Sequence, residues 1–343
     1  MEKTRKRRGI GRVTLQEVAN FAGVGTMTVS RALRTPEQVS DKLREKIEQA
    51  VEELGYIPNR TAGALASGHS DTVAVLVPFL TDKASSRFMQ SLQQVLNKNE
   101  FQLLLGCHEY NQLKEAEILM TLLQGNPAAL VIFGSQLADK THQILEKTNI
   151  PTINVVGSPF SPAQITIETA FFEASHKLTE HLLEQGYKNI GFIGAHMDNR
   201  LQRQQLNGWH KAMLSHYQNS DLVITMPDAA SLQLGRYALN EILLRQPELD
   251  AVICSHEEIA LGIMFECQRR LLKIPENIAV ACLDGSDNCD QTHPTLTSIR
   301  IDYKKMGIET GKLLIGLLNN NHDESEESRI VQFNYQIELR QST

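Results

Sequence analysis

The chain has 343 residues, 41% of them hydrophobic and 22% charged, which at roughly 150 residues per domain is enough for two or three packed units. No apolar run reaches the roughly 18 residues of a membrane span, and the N-terminus "MEKTRKRRGIGR" lacks the apolar stretch of a signal peptide, so membrane and secreted classes are disfavoured and a cytoplasmic protein is expected. The net charge of −6 is uneven: residues 1–68 hold 12 Lys/Arg against 8 Asp/Glu, a net +4, and the remainder carries −10. A basic head on an acidic body suggests a polyanion partner for the head. The five cysteines (Cys107, Cys254, Cys267, Cys282, Cys289) are scattered and contain no Cys-x-x-Cys pair, so they read as buried reduced thiols rather than disulfides or metal ligands.

In chain order, Leu15, Val18 and Ala19 form one helical stripe behind the N-cap candidate Thr14, and Ala22-Gly23 ends it where glycine can take a positive φ. After the turn, Val29, Ala32 and Leu33 lie together on a second helix, with Met27, Ser30, Arg31 and Arg34 opposite. A third helix begins at Ser40, carries Leu43, Ile47, Ala50, Val51 and Leu54 inward, and ends at Gly55. Three short helices with a tight first turn describe a helix-turn-helix domain. The small polar face of the second helix suits close approach to base edges, and Arg can pair bidentately with guanine. The same face would also serve as the solvated side of a small helical domain. The tail favours DNA, because Lys3, Arg5, Lys6, Arg7, Arg8 and Arg12 can contact phosphates.

"PNRTAGALASG" comes after Tyr56 and reads as a linker, since Pro58 breaks the third helix and Gly63 and Gly68 loosen the stretch beyond it. From Thr72 onward, "TVAVLVP", "FQLLLG", "AALVIFG" and "PTINVVG" read as buried parallel strands, alternating with helices over 86–98, 112–124 and 139–148. A second series, "NIGFIG", "SDLVIT", "LDAVICS" and "IAVACLD", alternates with helices over 171–186, 203–216, 232–245 and 256–272. Two such series predict an α/β body of two doubly wound lobes. In parallel sheets a ligand sits beyond the carboxyl ends of the strands, which singles out loops such as "VPFLTDKASSRF", "FGSQ", "GAHMDNRLQRQQLNGW", "CSHEEIALG" and "CLDGSDN".

"TLQEVANFAGVGTMTVSRALR" and "VSDKLREKIEQAVEELGYIPNRTAGALASG" resemble the DNA-binding head of the lactose/galactose repressor family. "MTVSRALRTPEQVS", "GYIPNR" and "FECQRRLLKIPENIAVA" look most like its gluconate repressor branch. The resemblance runs along nearly the whole chain and implies a two-lobed periplasmic-binding-protein-like (type I) body whose chain crosses between lobes three times. The implied layout is a helix-turn-helix domain over 1–57, a hinge over 58–70 and an effector-binding and dimerisation domain over 71–343. Within the last, the first lobe takes about 71–170 plus 301–327 and the second about 171–300 plus 328–343. Together the resemblance and the helix faces place Thr14, Leu15, Thr26, Met27, Thr28, Ser30, Arg31, Arg34, Ser40 and Tyr56 at the duplex. The hinge adds Asn59, Ala62 and the minor-groove wedge Leu65, which otherwise covers a domain junction. Gly63 stands where many relatives carry a longer residue, and in a helix it costs roughly 1 kcal/mol, so this hinge should depend on DNA to fold.

Carried over by position, Phe79 and Ser135 line the first lobe, and Ala230, His256 and Asp284 the second. Asp284 matches an acid that accepts effector hydroxyls in relatives. Gln205 stands four residues before Trp209, where sugar- and purine-binding relatives usually carry arginine. Arg200 and Arg203 lie nearby, and at least one of them is expected to offer a guanidinium to a carboxylate, the other reading of either being an exposed loop arginine. The expected function is a dimeric transcriptional repressor of a sugar-acid operon, its near-palindromic operator controlled by an effector such as gluconate. Another aldonate, a sugar phosphate or a purine is the alternative effector. "NYQIELRQST" carries no leucine heptad, so a homodimer rather than a tetramer is expected. A transport-type binding protein would share the body but has no use for the basic head. An enzyme is disfavoured because no Gly-x-Ser-x-Gly, phosphate loop, metal-ligand pair or complete Gly-x-Gly-x-x-Gly is present. No cofactor and no metal are expected.

Overall fold

The computed structural model describes residues 13–58, 70–134, 137–157, 163, 165–196, 199–319 and 329–343. They fall into two compact units, Met1–Ser70 and Asp71–Thr343.

The first unit holds α1 (Leu15–Ala22), α2 (Thr26–Arg34), a 3-10 turn at Pro36–Gln38 and α3 (Asp41–Leu54). Thr14 starts α1 with a reciprocal cap: its hydroxyl accepts the Glu17 amide at 3.3 Å, and the Glu17 carboxylate accepts the Thr14 amide at 2.7 Å. Gly23 at φ +65° ends α1 and Gly55 at φ +62° ends α3, both in the left-handed region that glycine enters without a Cβ penalty. Val18, Ala19, Ala22, Val29, Ala32, Ile47 and Ala50 form the core, with Leu15, Leu33, Leu43, Val51, Leu54 and Tyr56 packed against it. The inward stripes expected from the sequence are the ones buried.

The second unit is built on two six-stranded sheets. The first runs in order β11-β5-β4-β3-β1-β2, all parallel, from β1 (Thr72–Val77), β2 (Gln102–Cys107), β3 (Ala129–Phe133), β4 (Thr152–Val155), β5 (Ile165–Thr169) and β11 (Arg329–Phe333). Its helices are α4 (Lys83–Lys98), α5 (Gln112–Gln124), α6 (Asp139–Thr148) and α11 (Tyr303–Leu318). The second runs β12-β10-β9-β8-β6-β7, from β6 (Ile190–Ala195), β7 (Val223–Met226), β8 (Ala251–Cys254), β9 (Ala279–Cys282), β10 (Thr297–Ile301) and β12 (Tyr335–Glu338), with only β12 antiparallel. Its helices are α7 (Phe171–Glu184), α8 (Arg200–Ser215), α9 (Leu232–Arg245) and α10 (Glu257–Arg269). The chain passes between lobes after β5, after β10 and after β11, so the two doubly wound lobes expected from the strand-helix alternation are joined by the three crossings that the resemblance implies.

α11 returns to the first lobe and lies hard against α4. A Cβ on Gly307 would fall 2.3 Å from the Phe88 carbonyl oxygen, so only glycine lets the two backbones meet there. This contact fixes the helix that begins with Tyr303, a residue that lines the cavity of the body.

Two expectations differ from the structure. The sequence layout places residues from 328 onward in the second lobe, but β11 pairs with β5 from Arg329 opposite Ile165 to Phe333 opposite Thr169, so the last crossing comes at Asn334. An edge strand contacts one neighbour only, and its own residues do not say which sheet that neighbour belongs to. The apolar run of β2 predicts a buried strand, yet Leu104 and Leu105 are 38% and 36% exposed. β2 is the edge of its sheet, and an apolar run does not distinguish an edge from a centre.

Candidate functional site

On the head, α2 turns Val29 and Ala32 inward and leaves Met27, Arg31 and Arg34 exposed, with Thr26, Thr28 and Ser30 half-buried beside them. Neither arginine forms an ion pair with another described residue. This face therefore presents two guanidinium groups, hydroxyls and one thioether. Ser40 is exposed at the start of α3 without a capping bond from its side chain. Three of the residues placed at the duplex have other work in the fold: the Thr14 hydroxyl is occupied in its cap, and Leu15 and Tyr56 pack on the core. Asn59, Ala62, Leu65 and the basic tail through Arg12 lie outside the described residues.

In the body, a cavity of about 420 Å³ opens where the carboxyl ends of the strands meet. Phe79 comes after β1, Tyr110 after β2, His196 after β6, His256 after β8 and Asp284 after β9, so each is delivered by the loop beyond a parallel strand. Phe79, Tyr110 and His196 form one wall, with ring centroids 5.2 to 5.4 Å apart. Asp284 lines the same cavity, and the Tyr303 hydroxyl donates to it at 3.4 Å. Burial, reinforced by Asp82, Glu258 and Glu257, pushes the Asp284 carboxyl well above the usual carboxylate range. A neutral carboxyl can both donate to and accept from a ligand hydroxyl.

His256 Nδ1 lies 2.7 Å from the Ser255 hydroxyl and its Nε2 3.4 Å from the Gln202 amide nitrogen. Burial, and then neighbouring His196, push it down to about 4, so it is neutral near pH 7. Glu257, at 2% exposure, accepts from Lys83 Nζ at 2.5 Å, the Ser286 amide at 2.7 Å and Asn288 Nδ2 at 3.0 Å. Burial raises its pKa, but Lys83 and Ser286 outweigh that and hold the carboxyl below its ordinary value.

The cavity brings together Phe79, Ala230, His256 and Asp284 of the expected residues. Ser135 lies outside the described residues. The guanidinium expectation for this cavity is corrected. Arg200 lines a neighbouring pocket of about 220 Å³ with Glu168, Glu173 and Gln332, which among the described residues shares only Val156 and Leu201 with the cavity, and Arg203 is exposed. Gln205 is 1% exposed beneath the site and does not line it, and its backbone carbonyl accepts from Ser175 Oγ at 2.6 Å. The cause is helix rotation. Leu201 and Gln202 line the cavity, and at about 100° per residue Arg200 and Arg203 point away from that direction while Gln205 sits one turn deeper. Sequence reasoning missed Lys83, Arg87, Tyr110, His196, Gln202 and Tyr303, all of which line the cavity. Lys83, Arg87, His196 and Gln202 fall within loops already singled out by their place after a strand. Tyr303 had no local signal, because α11 reaches the site from the far end of the chain.

Residues 14–59 match the bacterial regulatory proteins of the lacI family, and residues 179–343 match the periplasmic binding protein-like domain. The HTH-type transcriptional regulator GntR of Escherichia coli is 33% identical over 299 residues, covering 86% of this chain and 89% of that one. Among solved structures, a PurR family transcriptional regulator from Vibrio parahaemolyticus is 40% identical, with a TM-score of 0.73, over 79% of this chain and 98% of that one. A lacI family transcriptional regulator from Silicibacter pomeroyi superposes with a TM-score of 0.87 at 26% identity, over 96% of this chain and 99% of that one. The chain belongs to the lacI family of bacterial regulatory proteins, as a DNA-binding transcriptional regulator resembling its GntR branch.

Proposed function

We propose that this regulator is a homodimeric repressor of a sugar-acid utilisation operon, and that an aldonate such as gluconate, held in the cavity of the body, weakens its grip on a near-palindromic operator. The observation that carries this reading is the cavity itself. At about 420 Å³ it is within the roughly 300 to 1,000 Å³ of small-molecule sites. Its lining combines aromatic rings with Asp284, Tyr303 and Gln202, groups suited to the hydroxyls of a sugar-derived ligand. On the head, the outer face of α2 supplies the base-reading residues, with Arg31 and Arg34 the strongest candidates for guanine. Asn59, Ala62 and Leu65 of the hinge are the proposed minor-groove contacts. The apolar edge of β2, exposing Leu104 and Leu105, supports a second copy as partner. Two-fold symmetry in turn calls for an operator with two related half-sites.

Footprinting of the full chain across the genome of its source, with and without gluconate, tests the reading. It expects a discrete near-palindromic footprint that gluconate weakens. A footprint indifferent to every aldonate would remove the effector assignment, and no footprint would remove the repressor assignment.

A further inference from the structure

A carboxylate entering the cavity needs a positive partner. Among the described lining residues the only arginine or lysine side chains are Lys83 and Arg87, and burial pushes both His196 and His256 toward the neutral form. The two cations are not equivalent. Arg87 pairs with Asp287 at 2.9 Å, and Asp287 is 61% exposed, which puts this pair at the solvent rim. The Lys83 side chain is as exposed as that of Arg87, 42% against 41%, but its ammonium lies 2.5 Å from buried Glu257 and 3.5 Å from Glu258.

Glu257 does not depend on Lys83 alone. It also accepts from the Ser286 amide and Asn288 Nδ2, touches Cys289 Sγ at 3.6 Å, and stands in the first turn of α10 at the positive end of the helix dipole. Its charge therefore stays compensated if Lys83 turns away. Glu258 also lines the cavity and shares the Lys83 ammonium at 3.5 Å, and the two remaining acids are partly offset. Asp82 is occupied in capping α4, accepting from the Ala84 amide and the Ser85 hydroxyl, and burial favours the neutral form of Asp284. Lys83 begins α4 in the first lobe and its partners begin α10 in the second, so the ion pair joins the lobes across the cavity.

We propose that Lys83 reads the carboxylate of the effector, exchanging its bridge to Glu257 and Glu258 for a charge-assisted pair with the ligand. This deepens the sugar-acid reading and rests on it. The ligand class it selects is a polyhydroxylated acid, with the carboxylate toward α4 and the hydroxyls toward Asp284 and Tyr303. Binding then substitutes a ligand contact for an interlobe contact, which gives the cavity a means of sensing charge as well as shape.

The test is calorimetric titration of the full chain with D-gluconate and with its uncharged counterpart sorbitol, on wild type, Lys83→Met and Lys83→Arg, with the melting temperature of each recorded. Lys83→Met is expected to weaken gluconate roughly 10- to 100-fold, the range for a hydrogen bond to a charged group. Sorbitol should be unaffected, and Lys83→Arg should recover most of the loss. Unchanged gluconate affinity in Lys83→Met overturns the proposal and leaves the sugar-acid reading standing. So does a loss that Lys83→Arg shares along with a lowered melting temperature, because that marks a structural role. Failure of the wild type to bind gluconate or any other aldonate overturns the sugar-acid reading, and this proposal with it.

Discussion

Ile47→Ala tests whether the head folds and reads DNA as a unit of its own. Ile47 is fully buried among Val18, Val29 and Ala50. Truncation removes three carbons, about 2.4 kcal/mol at about 0.8 kcal/mol per buried methylene, and the residual cavity brings the cost to about 3 to 4 kcal/mol. A unit the size of residues 13–58 carries about 2 to 7 kcal/mol in total. The substitution therefore removes most of what holds the three helices together. On the full chain, circular dichroism should show the head's thermal transition shifted sharply down or lost, and gel shifts should show specific operator binding falling with it. Gluconate titration should be unchanged, because Ile47 belongs to a different compact unit from the cavity. A variant that keeps its operator affinity and its head transition would refute the packing argument, and one that loses the ligand as well would refute the independence of the two units.

Arg31→Ala is expected to cut the preference for operator over random duplex by about 1 to 3 kcal/mol, whereas neutralising tail charges such as Arg7 and Arg8 weakens all DNA alike and lowers the salt slope by about one per charge. Equal loss on both duplexes for Arg31→Ala would contradict a base-reading role. Asp284→Asn tests the buried carboxyl through pH. Because the folded state holds the Asp284 proton more tightly than the unfolded chain does, the stabilisation is present in acid and is lost as pH rises from about 3.9 through the raised native value. The amide has no proton to lose, so the variant should melt above wild type at neutral pH, with the gap narrowing toward pH 4. A gap that does not vary with pH would contradict the assignment.

The head was legible because its signals are local. Thr14 with Glu17, Gly23 and Gly55 mark helix ends within a few residues, and the inward stripes reflect a 3.6-residue period. The alternation of strand and helix in the body was legible for the same reason. What escaped depends on distant parts of the chain. The exposure of Leu104 and Leu105 arises because β2 lies at the end of a sheet, and β11 joins the first lobe through pairing with a strand some 160 residues earlier in the sequence. In the cavity, position after a strand singled out the loops, and the family resemblance picked Phe79, His256 and Asp284 within them. Choosing among Arg200, Gln202, Arg203 and Gln205 required the rotation of α8, and neither Tyr303 nor the Lys83–Glu257 pair has meaning until the lobes face each other.

If a ligand between the lobes governs the grip on DNA, gluconate affinity for the full chain, measured by calorimetry with and without saturating operator duplex, must differ between the two titrations. Linkage requires operator to weaken gluconate by the same factor that gluconate weakens operator, typically about 5- to 150-fold. An identical gluconate affinity in the two titrations would contradict the account.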